Sequence, residues 1–379
     1  VKIVFLTTGP IENPGPRTRV FQYLPYFEAD RIPFEVVEAG LRLPMQVANL
    51  RSRWDRERRF PATVLRSAQV AEVGVKVLSE GVRRVRTMEA GARALLFDAD
   101  VIFSQAVLPT VPMLRLLQAS GKRIAFDMCD ALYTRNGRFQ EGERLARILP
   151  YLDLVIVASD ETEAWMRERS PARTMVVTGP IDTRQFHPGR EGRDDEVVIG
   201  WIGSATTTHY LARVAPALAR LAERYPQLKL KTVGAGRVSL PDHVRVEQVD
   251  WSLEGEARAL RTFDVGLMPL DDDPWSRGKG GYKLLQYMAT GIPCVASPVG
   301  VNRSIVVHGE SGFLADDQEQ WVASLARLIE DAALRRAMGV AGRRLAVERY
   351  SFDHYYPEVR DALFALSPRA ADRAAGRAG

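Results

Sequence analysis

Residues 263–300 read FDVGLMPLDDDPWSRGKGGYKLLQYMATGIPCVASPVG. The run from Asp264 to Leu270 is apolar and ends in acids and a proline, the pattern of a buried parallel strand. A basic, Gly-rich loop follows at Arg277, Gly278, Lys279, Gly280 and Gly281, and the spacing then predicts a helix from Tyr282 to Thr290. Gly291 stands where a left-handed residue closes a helix, and Ile292 to Ala296 reads as a second buried strand. Strand, loop, helix and strand in this order form one unit of a parallel sheet. Its loop lies at the carboxyl end of a strand, the edge at which open α/β sheets bind ligands.

The chemistry of that loop points to phosphate. Glycines let backbone N–H groups approach an anion, and a helix N-terminus adds a positive dipole. Arg277, Lys279 and Lys283 add full charges, with Lys283 expected one turn beyond Lys279 on the same face. The alternative reading is a solvated basic loop. The preceding Asp271-Asp272-Asp273 invites a divalent cation, but Pro274 makes a turn the simpler role. None of His187, His209, His243, His308 and His354 lies at metal-ligand spacing, so no metal site is expected.

Working outward, strands alternate with helices on both sides. Val1–Thr8, Phe34–Val37, Val101–Ser104, Arg123–Phe126, Leu154–Ala158 and Thr174–Val177 read as strands of a first half. Val197–Ile202, 228–233 and Val244–Val249 belong with the central stretch in a second half. Alternating βα units imply parallel, doubly wound sheets. Residues 178–195, TGPIDTRQFHPGREGRDD, shift abruptly to Pro, Gly and charge and read as a linker. Two strand ends of the first half carry candidate chemistry. The loop Ile11–Pro16, with Gly15, delivers Arg17 and Arg19 to an expected helix N-terminus from Val20 to Ala29, an anion site in outline. Asp127 and Asp130 leave a buried strand at its carboxyl edge, with an N-cap role equally open for Asp130.

KLLQYMATGIPCVASPVG, followed by IVVHGESGFLADD, closely resembles the donor-binding domain of GT-B glycosyltransferases of family 4. The likeness covers most of residues 197–352 and, more weakly, the first half. It implies two Rossmann-like domains facing a central cleft: an acceptor-side domain at 1–180, a linker at 181–195 and a nucleotide-sugar domain at 196–350. A helix at 351–366 would cross back to the first domain, with a disordered tail at 367–379. The implied activity is metal-independent, retaining transfer of a sugar from a nucleotide diphosphate to a hydroxyl acceptor, without a resident cofactor. The likeness places Gly203, Ser204, Gly234, Trp251, Tyr282, Gln286, Pro298, Val299 and Gly300 around the donor, with Trp251 beside the base and backbone donors at Gly203-Ser204 and Pro298–Gly300. The family's paired glutamates are absent; Gly278 and Gln286 stand in their places. No Arg or Lys lies between Trp201 and Leu211, where relatives grip the diphosphate, so Arg277, Lys279 and Lys283 are expected to have taken over that task. Were the outcome inverting instead, Asp130 or Asp127 would be the base.

Composition sets the remaining bounds. The 379 residues suffice for two ordinary domains, and 46% hydrophobic with 26% charged residues are globular values. Two separated cysteines, Cys129 and Cys294, suggest free thiols, and no apolar run reaches spanning length, so a cytoplasmic protein is expected. Residues 51–93 hold eleven Arg and Lys against five acids, an excess of six against +5 for the whole chain. Without a nucleic-acid motif, that stretch suits an anionic membrane face or a phosphorylated acceptor. Within it, helix 80–96 sets Val82, Val85, Met88 and Ala92 on one face and arginines on another. A dinucleotide oxidoreductase is disfavoured, since no complete G-x-G-x-x-G opens either half. A sugar-nucleotide epimerase or hydrolase on the same fold, or a non-catalytic nucleotide-sugar-binding subunit, remain the rivals.

Overall fold

The computed structural model describes residues 1–39, 81–82, 84–135, 140–192 and 195–367. Most of the basic stretch 51–93, and the tail beyond 367, therefore lie outside the described residues. The chain divides into two compact units. Among the described residues the first holds 1–39, 81–177 and 355–367, and the second 178–354.

The first unit is built on six parallel strands: β1 (Ile3–Thr7), β2 (Phe34–Glu38), β3 (Val101–Gln105), β4 (Arg123–Met128), β5 (Leu154–Val157) and β6 (Arg173–Val176). Their order is β2-β1-β3-β4-β5-β6, so the winding reverses between β1 and β3. β1, β3 and β5 are buried throughout, as strands covered on both faces must be. The loop expected at Ile11–Pro16 instead enters a helix at Pro14 (Pro14–Arg19), because proline is tolerated in a first helical turn, where no amide donor is needed. Arg17 and Arg19 consequently sit in its last turn, not at a helix N-terminus. Helix Phe352–Phe364 leaves the second unit at His354 and joins the first. There Tyr356 packs edge-on against Phe27, its ring centroid 5.2 Å away, and donates to Asp30 Oδ2 at 2.7 Å.

The helix over 84–96 buries Thr87, Ala90 and Ala94, and leaves Val85, Met88 and Leu96 exposed at 59%, 49% and 85%. Its small residues face the core, so the larger apolar side chains face outward.

The second unit repeats the architecture with β7 (Val197–Ile202), β8 (Leu228–Val233), β9 (Val246–Val249), β10 (Val265–Met268), β11 (Cys294–Ala296) and β12 (Gly312–Leu314). The order β12-β11-β10-β7-β8-β9 reverses between β7 and β10. The helix expected at 208–224 divides in two: a 3₁₀ helix, Ala205–Arg213, then an α-helix, Ala215–Arg224, restarted by Pro216 in its first turn. Helix Tyr282–Ala289 crosses the β7–β10 junction. Gly266 makes room for it, since a side chain there would meet the Tyr287 ring at 2.4 Å, and Gly200 likewise admits the Phe263 ring, which a side chain would meet at 1.9 Å. The buried Tyr287 hydroxyl accepts from the Ile202 N–H (3.2 Å) and donates to the Leu267 carbonyl (3.1 Å), pinning the helix to both strands.

Candidate functional site

The second unit gathers its glycine turns and its basic loop at the carboxyl ends of β7 and β10, where the sheet order reverses. Four close approaches define the cradle. A Cβ on Gly203 would lie 2.9 Å from Lys283 Cε and 2.4 Å from the Trp201 ring. One on Gly234, whose φ is +72°, would lie 2.4 Å from the Gly203 carbonyl oxygen and 3.0 Å from Trp251 Cβ. One on Gly300, at φ +51°, would strike the Arg277 carbonyl at 2.4 Å. Gly281, at φ +65°, packs on Ile305 and opens the helix that carries Lys283. Left-handed backbone demands glycine at 234, 281 and 300, while at Gly203 it is the close approach of Trp201 and Lys283 that does. Gly203, Gly234, Trp251, Arg277, Lys283 and Gly300 thus lie at one edge of the second unit's sheet.

Individual roles differ from the expectation in several places. Lys279 lies outside the helix, two residues before its Gly281 cap, so it does not share a helical face with Lys283. Arg277 is tied to Asp272, Nε to Oδ1 at 2.5 Å, and that contact holds the Asp272 carboxyl below its usual range. Asp273 caps the turn Pro274–Arg277, accepting from the Ser276 N–H at 2.9 Å, and Asp271 stands 3.5 Å from Arg213. The acidic triplet therefore builds the basic loop. The expected amide donors at Gly203 and Ser204 are already engaged, by the Val233 carbonyl at 3.0 Å and Thr207 Oγ1 at 3.3 Å. The N–H of Val299 likewise bonds the Ser297 carbonyl at 2.8 Å, and Pro298 has none. Among the described residues, the N–H groups of Gly280, Gly281 and Gly300 make no hydrogen bond, and these are the donors left for an anion. Asn302 Nδ2, bonded to the Ser297 carbonyl at 3.0 Å, steadies the Pro298–Gly300 turn. Trp251 donates its indole N–H to the buried Glu256 (2.8 Å), which fixes the plane of the ring. Tyr282 packs on the core, and Gln286 is 3% exposed, its amide without a partner among the described residues.

The first unit has its own cavity, about 290 Å³, at the β1–β3 reversal. Gln105 at the end of β3 accepts from Thr8 Oγ1 at 2.8 Å, and Gly15 lies against both Gln105 and Cys129. Ala106 takes a left-handed φ of +51° to turn the chain along the cavity wall, a strained conformation for a residue with a Cβ. Asp130 lines this cavity, and its carboxylate makes no hydrogen bond among the described residues. The following turn is capped at Ala131 without a side-chain bond, so Asp130 does not serve as an N-cap. Arg135, Glu141 and Arg144 also line it. Cys129 stays a thiol: burial and then the charges of Asp130 and Asp127 push its pKa up.

Asp127 and Arg19 do not reach the cavity, because they hold each other. Asp127 is 1% exposed and Arg19 2%; Arg19 Nε lies 2.9 Å and Nη2 2.6 Å from Asp127 Oδ2, while Nη1 donates to the Val177 carbonyl at 2.7 Å. Burial would lower the Arg19 pKa, and the carboxylate beside it more than reverses this, so the guanidinium remains charged. Arg17 is also buried, its Nη1 directed at the Glu12 carbonyl (3.4 Å). Of Gly15, Arg17 and Arg19, expected to meet the acceptor or the donor phosphates, only Gly15 lines the cavity. Thr8, Gln105, Glu141 and Arg144 were missed. The first two stand at strand ends, where the strand-edge rule could have found them, while the helix residues carry no such signal.

Among the described residues no helix is long and apolar enough to cross a membrane, and no cluster of three potential metal-ligating acids, His or Cys occurs. Comparison with known proteins completes the picture. Residues 196–331 match the family described as "Glycosyl transferases group 1". A D-inositol 3-phosphate glycosyltransferase of Corynebacterium urealyticum is 28% identical over 241 residues, covering 55% of each chain, so the match spans about half of that relative. A phosphatidyl-myo-inositol mannosyltransferase of Mycolicibacterium smegmatis is 26% identical, covering 67% of this chain and 68% of its own. In three dimensions the chain is similar to a sucrose-phosphate synthase from Thermosynechococcus elongatus (TM-score 0.66, 17% identity, 97% and 100% coverage). It is similar also to HepE of Anabaena, solved with UDP and glucose (TM-score 0.62, 16% identity, 95% and 98% coverage). The match over 196–331 thus likens the second unit to the group 1 glycosyl transferases, and the two parallel Rossmann-like sheets, with these structural likenesses, give the chain the GT-B fold.

Proposed function

We propose that the protein transfers a sugar from a nucleoside diphosphate to a hydroxyl acceptor, without a metal ion and with retention at the anomeric carbon. The observation that carries this reading is the β7–β10 cradle. There the Lys283 side chain lies against Gly203, while the amides of Gly280, Gly281 and Gly300 are left to receive an anion. Cations and fixed amide dipoles neutralise charge on a departing diphosphate, the main electrostatic demand of the reaction. In this reading Lys283 and Lys279 take the diphosphate, Gln286 faces the ribose as a neutral partner, and Trp251 flanks the base. The UDP in the HepE structure and the inositol groups in the relatives' names, one a soluble phosphate and one carried on a phospholipid, support a UDP-type donor and an inositol-like polyol acceptor. The cavity of the first unit would take that acceptor, with Asp130 receiving a hydrogen bond from its reacting hydroxyl. The exposed Val85, Met88 and Leu96, beside Arg84 and Arg93, suit an anionic membrane face, which flotation with phosphatidylserine vesicles tests.

Calorimetry with UDP, GDP, dTDP, ADP and CDP, on wild type and Lys283→Ala, tests the donor site. Binding of one diphosphate, weakened at least about tenfold in the variant, is expected. Binding of none would overturn the reading. Sugar release from the donor in water alone, undiminished by any polyol acceptor, would make the protein a hydrolase.

A further inference from the structure

Lys279 in the basic loop and Lys283 in the helix that follows it are both seated on aromatic rings. The Lys279 ammonium lies 4.8 Å from the centroid of Trp275 and 5.9 Å from that of Tyr210. The Lys283 ammonium lies 5.6 Å from the ring of Trp201, itself 1% exposed at the end of β7. The rings are themselves held. Tyr210 shares a 2.9 Å hydrogen bond with Ser276 Oγ, and Ser276 is fixed through its N–H and hydroxyl to Asp273 at 2.9 and 3.0 Å. Thus the residues that build the loop also orient the aromatic face under Lys279.

An aromatic face attracts an ammonium through its quadrupole yet contributes no net charge. A carboxylate performs the same positioning but cancels the cation, as Asp272 does to Arg277 in this very loop. A ring therefore suits a cation that has to meet a second, anionic partner. It also narrows the rotamers of a long side chain before the ligand arrives, reducing the ordering cost of binding. We propose that Trp275, together with Tyr210, and Trp201 are positioning residues that hold Lys279 and Lys283 ready for a diphosphate. The inference rests on the donor-site reading above and deepens it by naming what aims its cations.

The test is a double-variant cycle on the full chain, read by calorimetry with inorganic pyrophosphate and, separately, UDP. Trp275→Leu should weaken both by between about threefold and thirtyfold, and Trp275→Phe should restore most of the affinity. In a Lys279→Ala background, Trp275→Leu should change nothing further, because the ring acts through the lysine. Losses that multiply in the double variant, or wild-type affinity in Trp275→Leu, would overturn the inference and leave the transferase reading standing. Failure of the wild type to bind either probe would overturn both. Trp275 is only partly buried, and Trp275→Met serves in the same cycle should the Leu variant lose its thermal transition.

Discussion

Asp127 leaves a central strand at its carboxyl end, where the sequence argues for a catalytic acid, yet the structure makes it half of a buried ion pair. The two readings predict different outcomes for Asp127→Asn. The carboxylate receives both Nε and Nη2 of Arg19, at 2.9 and 2.6 Å, and neither side chain is more than 2% exposed. Replacing it with an amide leaves the guanidinium buried opposite one neutral oxygen and an NH₂ group that repels it. Breaking such a pair from one side costs about 3–5 kcal/mol, equivalent to a fall of about 6–20 °C in Tm for a unit of this size. Arg19→Met should cost as much, because it strands the carboxylate. The double variant Arg19→Met/Asp127→Leu removes both charges and should recover all but about 1–3 kcal/mol, the remainder being the Val177 carbonyl that loses its donor. Urea unfolding of the four proteins, followed by tryptophan fluorescence, gives the comparison. A loss below about 1 kcal/mol in Asp127→Asn, accompanied by abolished sugar transfer, would refute the structural role and return Asp127 to the reaction.

The remaining predictions probe other parts of the molecule. Asp130→Asn, whose carboxylate makes no hydrogen bond among the described residues, should leave Tm within about 1 °C while lowering kcat for transfer, measured by release of nucleoside diphosphate. Gly203→Ala puts a methyl group 2.4 Å from Trp201 and 2.9 Å from Lys283, so diphosphate affinity in calorimetry should fall by at least about tenfold. Burial pushes the Cys294 thiol up to about 12 and raises Cys129 as well, so neither should react with iodoacetamide at pH 7.5 until the chain unfolds, as mass spectrometry would register. Hydrogen bonds from Arg261 and Arg258 depress Glu191, and those from Lys229 and Arg245 depress Glu196. Because their folded pKa values lie below the unfolded value of about 4.3, the stability they add is present above that pH and lost as pH falls through the folded values. Tm measured from pH 7 to pH 3 should drop less steeply in Glu196→Gln than in wild type.

What could be read from the sequence was what local pattern encodes. Strands buried on both faces read as unbroken apolar runs, so most of the twelve were recognisable near their observed bounds. Their carboxyl ends pointed to the 277–300 segment, and the family resemblance added Gly203, Gly234 and Trp251 to the same edge. Boundaries failed where proline has two uses. Pro14 and Pro216 each stand in the first turn of a helix; reading Pro14 as part of a rigid loop misses the first, and reading through Pro216 fuses the second with the 3₁₀ helix before it. The larger losses were nonlocal. Arg19 and Asp127 are 108 residues apart, and nothing in either neighbourhood names the other as its partner. The cavity of the first unit has the same character, since Thr8 and Gln105 meet only because β1 and β3 lie side by side at the reversal of the sheet. A cation at a strand end is therefore an address, and the side chain waiting there decides its use. Arg19 and Arg277 meet carboxylates, whereas Lys279 and Lys283 lie against aromatic rings, and a ring positions a cation without itself adding an opposite charge.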